Sequence, residues 1–241
     1  MIVLSTLSNS IEPYTLTAVI DTALCVGAGG SSGSLADKPI VRNAEGNLLI
    51  PGSQIKGRLR HECEKIARGL GWEISESPSP GKMVIRRDKA PNNFSRSEYQ
   101  VSGYNETYHC LISQIFGDPV LPSRVMFDDL ICTEKPENLA EFLRPGVTIN
   151  RRRRTAEENK LYFLETSPPH VSLKFQGEIH LLPNCPCYAK PLMLAGFKHI
   201  HALGGSKSAG LGWLSWENLP KFEVTEADWD FLARGRKNAA N

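Results

Sequence analysis

The chain has 241 residues, 41% apolar and 22% charged, and its 28 basic and 26 acidic side chains leave a formal net charge of +2. That is enough apolar material for a buried core and excludes a disordered chain. No apolar run reaches the roughly 20 residues that span a bilayer, no basic-plus-apolar leader opens the chain, and six scattered cysteines do not make a secreted disulfide scaffold, so a cytoplasmic protein with no membrane association is expected.

The charges are unevenly spread. Basic residues gather in Lys56-Gly-Arg-Leu-Arg60, Arg86-Arg87 and Asn150-Arg-Arg-Arg-Arg154, and acids in Asp128-Asp129, Glu134 to Glu141 and Glu223 to Asp230. Basic stripes on a neutral whole suit nucleic-acid binding along one face and protein partners along another.

In chain order, the apolar/polar alternation of Leu16, Ala18 and Ile20 against Thr15, Thr17 and Asp21 predicts a first strand within Ser10 to Gly27. A Gly/Ser-rich loop follows, Ala28 to Leu35, and then a short strand, a turn at Ala44 to Asn47 and the strand Leu48 to Ile50. Pro51-Gly52 breaks the chain, Ser53 is placed as N-cap, and Ile55, Leu59, Cys63, Ile66 and Leu70 recur at helical spacing until Gly69 and Gly71 end the helix. Residues 73–107, rich in Pro, Ser and Asn without a clear period, are expected to be an inserted or mobile loop. A short helix within Tyr108 to Phe116, a strand Val125 to Cys132, a hairpin over about 146–180 around the arginine run, and a second helix Pro191 to Leu203 complete the pattern. No internal repeat is visible. Strands separated by two helices predict an α+β fold with helices on one sheet face, for which β-α-β-β-α-β is the simplest unit.

The stretch "HALGGSKSAGLGWLSW", His201 to Trp216, holds four glycines and one lysine. Its spacing fits neither a P-loop nor a dinucleotide fingerprint, and it runs into an alternating, strand-like segment instead of a helix. Such a loop either presents backbone N–H groups to an anion as a nest or is a plain hairpin loop.

Four segments together resemble the RAMP (repeat-associated mysterious protein) superfamily of CRISPR systems: "LCVGAGGSSGSLADKPIVRN" before "LLIPGSQIKGRLRHECE", then "ISQIFGD…SRVMFDDL", "VTINRRRRTAEENKLYFLETSPP" and "LGGSKSAGLGW". They span most of the chain, and the I-P-G-S-x-[IL]-K-G-x-[LM]-R string is the most specific. Specifically, the chain looks like a type III backbone subunit that polymerises along a CRISPR RNA. The resemblance implies a single RAMP domain over 1–241 with a ferredoxin-like (RRM-like) core, an inserted loop and a thumb β-hairpin. It also implies guide CRISPR RNA, complementary target RNA and other RAMP backbone and capping subunits as partners.

On that reading Ser53 and the helix N-terminus form an anion site, with Lys56 and Arg60 one turn apart on the same face, and Gly204, Gly205, Ser206 and Lys207 close over the other side of the guide backbone. Taken without the motif, Lys56 and Arg60 are a solvated helix face. The thumb tip, Asn150, Arg151 and Arg152 within the run to Arg154, is similar to the hairpin that inserts between guide and target pairs; its bland reading is a solvated basic loop. Asp37, in a "D-x-P-[VI]" context, matches the aspartate that relatives need to cut target RNA with Mg2+ or Mn2+, the substrate's own 2′-OH being the nucleophile. An ordinary aspartate there forms a turn.

The chain departs from the family pattern in two places. Cys25-Val-Gly-Ala28 stands where His-[IV]-Gly-Gly is common, and Ser113 breaks a Cys-x-x-Cys that would begin at Cys110. His61, Cys63, His109 and Cys110 remain as a candidate N/S set for tetrahedral zinc, with a buried thiol and a capping histidine as the simpler account. Cys185-Pro-Cys187 is too tight for a usual half-site. Three functions follow: a guide-bound subunit that cuts target RNA, the same subunit as a non-catalytic scaffold, or a nuclease processing the guide precursor, which would need a histidine base where Cys25 stands.

Overall fold

The computed structural model describes residues 11–27, 36–37, 39–94, 96–140 and 142–238. The expected Gly/Ser loop 28–35 lies outside them. The first strand, β1 (Glu12–Ile20), turns Leu16, Ala18 and Ile20 fully inward, as its alternation predicts. A two-residue strand, β2 (Leu49–Ile50), leads through Pro51 into α1 (Gly52–Gly69), whose Ile55, Leu59, Cys63 and Ala67 form one buried stripe.

Of the two alternatives for the segment after α1, the described residues form packed structure and not a mobile loop. It holds α2 (Pro80–Met83) and the paired strands β3 (Ile85–Arg86) and β4 (Thr107–Tyr108). Tyr99 is fully buried edge-on to Trp72, with ring centres 6.2 Å apart, and its hydroxyl accepts the Glu73 N–H at 3.0 Å. Two single-turn helices, Asn92–Phe94 and Ser97–Tyr99, bury one aromatic each and so leave no stripe for a periodicity argument to find. Next come α3 (Leu111–Phe116), β5 (Val125–Phe127) and β6 (Leu130–Cys132).

The predicted strand 125–132 is thus bent at Asp128-Asp129. A Cβ on Gly177 would lie 2.7 Å from the Asp129 carbonyl, so the bend exists only opposite a glycine. The hairpin is β7 (Phe142–Asn150) and β8 (Thr155–Thr166), and it ends earlier than the 180 boundary expected. The Ser167-Pro168-Pro169 break releases the chain into β9 (Leu173–Leu181), which belongs to the central sheet. Then follow α4 (Ala189–Lys198), shorter than expected, β10 (Leu214–Asn218) and α5 (Glu226–Asn238).

The main sheet runs β10-β1-β9-β6-β2, with β5 also on β9, and its pairs are antiparallel. Counting β5 and β6 as one bent strand, the order of the four main strands is fourth-first-third-second around α1 and α4, the ferredoxin-like arrangement within an α+β fold. Both helices cover the face of Leu16, Ala18, Ile20, Phe175 and Ile179. On that face Trp216 of β10 meets Phe197 of α4 at 5.3 Å and donates its indole N–H to the Phe197 carbonyl at 2.9 Å. Gly196 lets the two helices touch, since a Cβ there would stand 2.8 Å from both Cys63 Sγ and Leu59 Cδ1. The acidic stretch near the C-terminus forms α5, which lays Phe231 flat against Trp72 and Tyr188 and accepts the Trp72 indole N–H at the Leu232 carbonyl.

Candidate functional site

The N-terminus of α1 does not use Ser53 as its cap. Pro51 stands at the cap position, and the first free N–H, of Gly52, goes to Asp129 Oδ1 at 2.7 Å. A carboxylate from the sheet bend therefore already answers part of the helix dipole that sequence reasoning assigned to phosphate. Gly52 is required for this approach, because a Cβ would sit 2.3 Å from the Phe127 carbonyl.

Lys56 and Arg60 share a face, as expected, but it looks toward the loop after α3. Lys56 Nζ donates to Ser123 Oγ at 2.9 Å, and Arg60 donates to the Gly117 carbonyl at 2.8 Å and to Glu64 Oε1 at 3.1 Å. Burial, and then the Arg60 charge, lower the Lys56 pKa. The face that meets the glycine loop is the adjacent one. Ser53, Gly57 and His61, spaced by four, with Gln54 and Arg58, line a groove of about 260 Å³ whose other wall is Ala202 to Gly204 and Lys207. Arg58 pairs with Glu62 at 2.9 Å, yet Arg58 Nε and Gln54 Oε1 are buried with no protein partner among the described residues. Both atoms belong to residues that line the groove.

The glycine loop hangs beneath the end of β1. The Gly205 N–H donates to the Cys25 carbonyl at 2.7 Å and the Gly212 N–H to Ala23 at 2.9 Å, while a Cβ on Gly204 would lie 2.5 Å from the Cys25 oxygen. Ser206 is left-handed, with φ 52°, and turns the chain into the exposed segment Ser206 to Gly210. Lys207 Nζ donates back to the Gly204 carbonyl at 2.9 Å, which keeps its charge at the groove mouth.

At the hairpin tip Asn150 Oδ1 accepts the N–H groups of Arg152 and Arg153, each at 3.1 Å, and the Arg154 N–H closes on the Asn150 carbonyl at 2.7 Å. This turn holds Arg151 to Arg154 outward, all exposed. Asp37 is exposed at a bend. Its N–H donates to the Phe163 carbonyl at 3.1 Å, and its Oδ2 accepts the Phe163 N–H at 2.8 Å. Beside it Glu165, 6% exposed, accepts the Ile40 N–H at 3.2 Å and lies 3.9 Å from Arg42. Sequence reasoning missed Arg58 and Glu165; the first was legible as a groove residue only once the helix face was known, and the second gave no signal.

The four candidate zinc ligands do not meet, which corrects that expectation. His61 is exposed on the groove side of α1, whereas Cys63 faces the core against the Leu192 carbonyl at 3.5 Å, where burial pushes its thiol pKa far up. His109 spends both ring nitrogens, on Asp118 Oδ2 at 2.6 Å and Thr107 Oγ1 at 2.8 Å, and Cys110 Sγ lies 3.1 Å from Ser75 Oγ. These residues do not fit zinc. Among the described residues the one trio of possible ligand atoms is Asp128, Glu178 and His180, away from the groove on the opposite sheet face.

The family model of the RAMP superfamily matches residues 17–215, from β1 through β10. The chain belongs to the RAMP superfamily. No curated protein matches it. Membership places this RAMP protein among CRISPR-associated RNA-binding subunits, in keeping with its ferredoxin-like core, and no helix among the described residues is long and apolar enough to cross a membrane.

Proposed function

We propose that this chain is a backbone subunit of a type III CRISPR ribonucleoprotein, which holds guide CRISPR RNA and cuts complementary target RNA, alongside other RAMP backbone and capping subunits. The observation that carries the reading is the groove between α1 and the glycine loop. Its polar walls, Ser53, Gln54, Arg58, His61 and Lys207, offer hydrogen bonds and positive charge to a sugar-phosphate backbone and no aromatic platform for a base. That chemistry accepts any sequence, as a subunit serving many guides requires. Lys56 and Arg60 extend the basic surface around the helix, and the hairpin tip brings four further arginines to the paired strands.

Asp37 is the candidate catalytic residue. Phe163 occupies only Oδ2 and the side chain is exposed, so the carboxylate would have Oδ1 to offer a hard cation. A bound Mg2+ or Mn2+ supplies neutralisation of the scissile phosphate. The rest of the work is positional: the hairpin splays the strand, and Asp37 faces the linkage where the ribose 2′-OH attacks its own phosphorus and the 5′-oxygen leaves. The products are then a 2′,3′-cyclic phosphate and a 5′-hydroxyl.

The test uses the assembled complex with its guide. Asp37→Asn keeps the turn and its hydrogen bond but removes the charge, so target binding should persist while metal-dependent cutting at regular intervals disappears. A wild-type complex that binds complementary RNA and leaves it intact with either metal identifies the chain as the non-catalytic scaffold.

A further inference from the structure

The base of β8 is joined to the chain on both sides of the segment that carries Asp37. Pro145 stands opposite Phe163 in the hairpin and has no N–H to offer, and the Phe163 amide group turns outward to clip Asp37 by both its N–H and its carboxylate. Two residues on, Glu165 reaches the Ile40 N–H with its buried carboxylate at 3.2 Å. Two further on, Ser167 exchanges a pair of bonds with Leu24 near the end of β1: its N–H donates to the Leu24 carbonyl at 2.9 Å and its Oγ accepts the Leu24 N–H at 2.8 Å. Phe163, Glu165 and Ser167 thus tie the end of β8 to Asp37, Ile40 and Leu24.

We infer that the base of β8 is the positioning element for Asp37, with Glu165 as a positioning residue that acts through the Ile40 N–H. A buried carboxylate that accepts a main-chain N–H and faces a guanidinium at 3.9 Å holds Ile40, three residues after Asp37, without touching RNA itself. The same hairpin carries the arginine tip: Arg154 lies nine residues before Phe163, with a left-handed residue, Asn159, and a register shift at Val147/Ile149 between tip and base. RNA gripped at the tip and the carboxylate at the base are therefore both attached to one hairpin, through β8. The inference deepens the proposed cleavage and rests on it for its kinetic consequence, while the positioning itself is measurable without any cleavage.

Amide hydrogen exchange on the full chain reads the clip directly. Protection of the Phe163 N–H should persist in Asp37→Asn, which keeps an acceptor oxygen, and fall at least tenfold in Asp37→Ala. Protection of the Ile40 and Asp37 N–H groups should fall similarly in Glu165→Ala and be kept in Glu165→Gln, whose amide oxygen accepts the same bond. In the assembled complex Glu165→Ala should bind guide and target within about twofold of wild type yet cut at least tenfold more slowly, and Glu165→Gln should restore the rate to within about threefold. Equal loss of cutting in Glu165→Gln and Glu165→Ala would mean that the charge acts directly, and unchanged protection in Asp37→Ala and Glu165→Ala would mean that β8 positions nothing; either overturns the inference. If Glu165→Ala fails to assemble, the exchange data on Asp37→Ala and the rate of Glu165→Gln decide. A complex that never cuts, with the protection pattern as described, removes the enzyme reading and leaves the positioning standing.

Discussion

Gly57 stands in the middle of α1, on the wall of the groove, with nothing within 4 Å of where its Cβ would be. A glycine inside a helix costs about 0.8–1.0 kcal/mol relative to alanine. With open space above it, Gly57→Ala should stabilise the free protein by about 1 kcal/mol and raise Tm by about 2–4 °C, the shift that such a change gives in a chain of this size. Leucine has nearly the helix propensity of alanine, so Gly57→Leu should keep most of that gain while its side chain fills part of a groove of about 260 Å³. If the sugar-phosphate backbone lies against this glycine, affinity for single-stranded RNA should fall at least tenfold in Gly57→Leu, equivalent to about 1.4 kcal/mol, and less in Gly57→Ala. Thermal melts and fluorescence anisotropy with unrelated RNA sequences measure the two halves. The reasoning is refuted if Gly57→Leu binds as tightly as wild type, because the groove is then not the RNA path. It is refuted equally if Gly57→Ala lowers Tm, because the space is then not open.

Three further outcomes are expected. Arg58→Ala with Lys207→Ala should weaken RNA binding almost equally for all sequences and reduce the salt slope by about two phosphate contacts, with a smaller effect from Lys56→Ala, whose ammonium is tied to Ser123; loss for one sequence alone contradicts this. Replacing Arg151 to Arg154 by serine should leave Tm nearly unchanged, since the tip is exposed, but impair binding of the guide-target duplex in an anisotropy titration. Burial raises the Asp118 pKa, but hydrogen bonds from His109 and from the Leu121 and Val120 N–H groups outweigh it and leave the carboxyl below its usual value. A depressed carboxyl contributes stability above its unfolded pKa that is lost as pH falls through the folded one. Asp118→Ala should therefore cost about 1–3 kcal/mol near pH 7 in urea unfolding, a difference that shrinks as pH drops below about 4.

What the sequence determined by itself is local. The alternation of β1 and the buried stripe of α1 state which face goes inward, because side-chain period follows directly from backbone geometry. The glycine loop was legible as a loop that opens a strand, and the four motifs carried the family. One local signal was passed over: Thr225 and Asp228, spaced as in a capping box, start α5, with the Asp228 carboxylate accepting both the Thr225 N–H and hydroxyl at 2.9 Å. The rest was decided by packing between distant segments. Whether Ser53 or Asp129 caps α1 depends on a sheet bend that exists only because Gly177 lies opposite it. The expected hairpin of 146–180 was cut short because β9 has a better partner in β1, a pairing that no window of sequence contains. Within α1, Lys56 and Arg58 are two residues apart and equally basic. Which of them borders the groove is settled by a rotation of about 100° per residue and by where the glycine loop docks, on the carbonyls of Ala23 and Cys25. Asp37 likewise could be named from its motif, but its tie to Phe163, 126 residues away along the chain, is a tertiary contact. Local periodicity selects faces, and only the assembled sheet selects what each face meets.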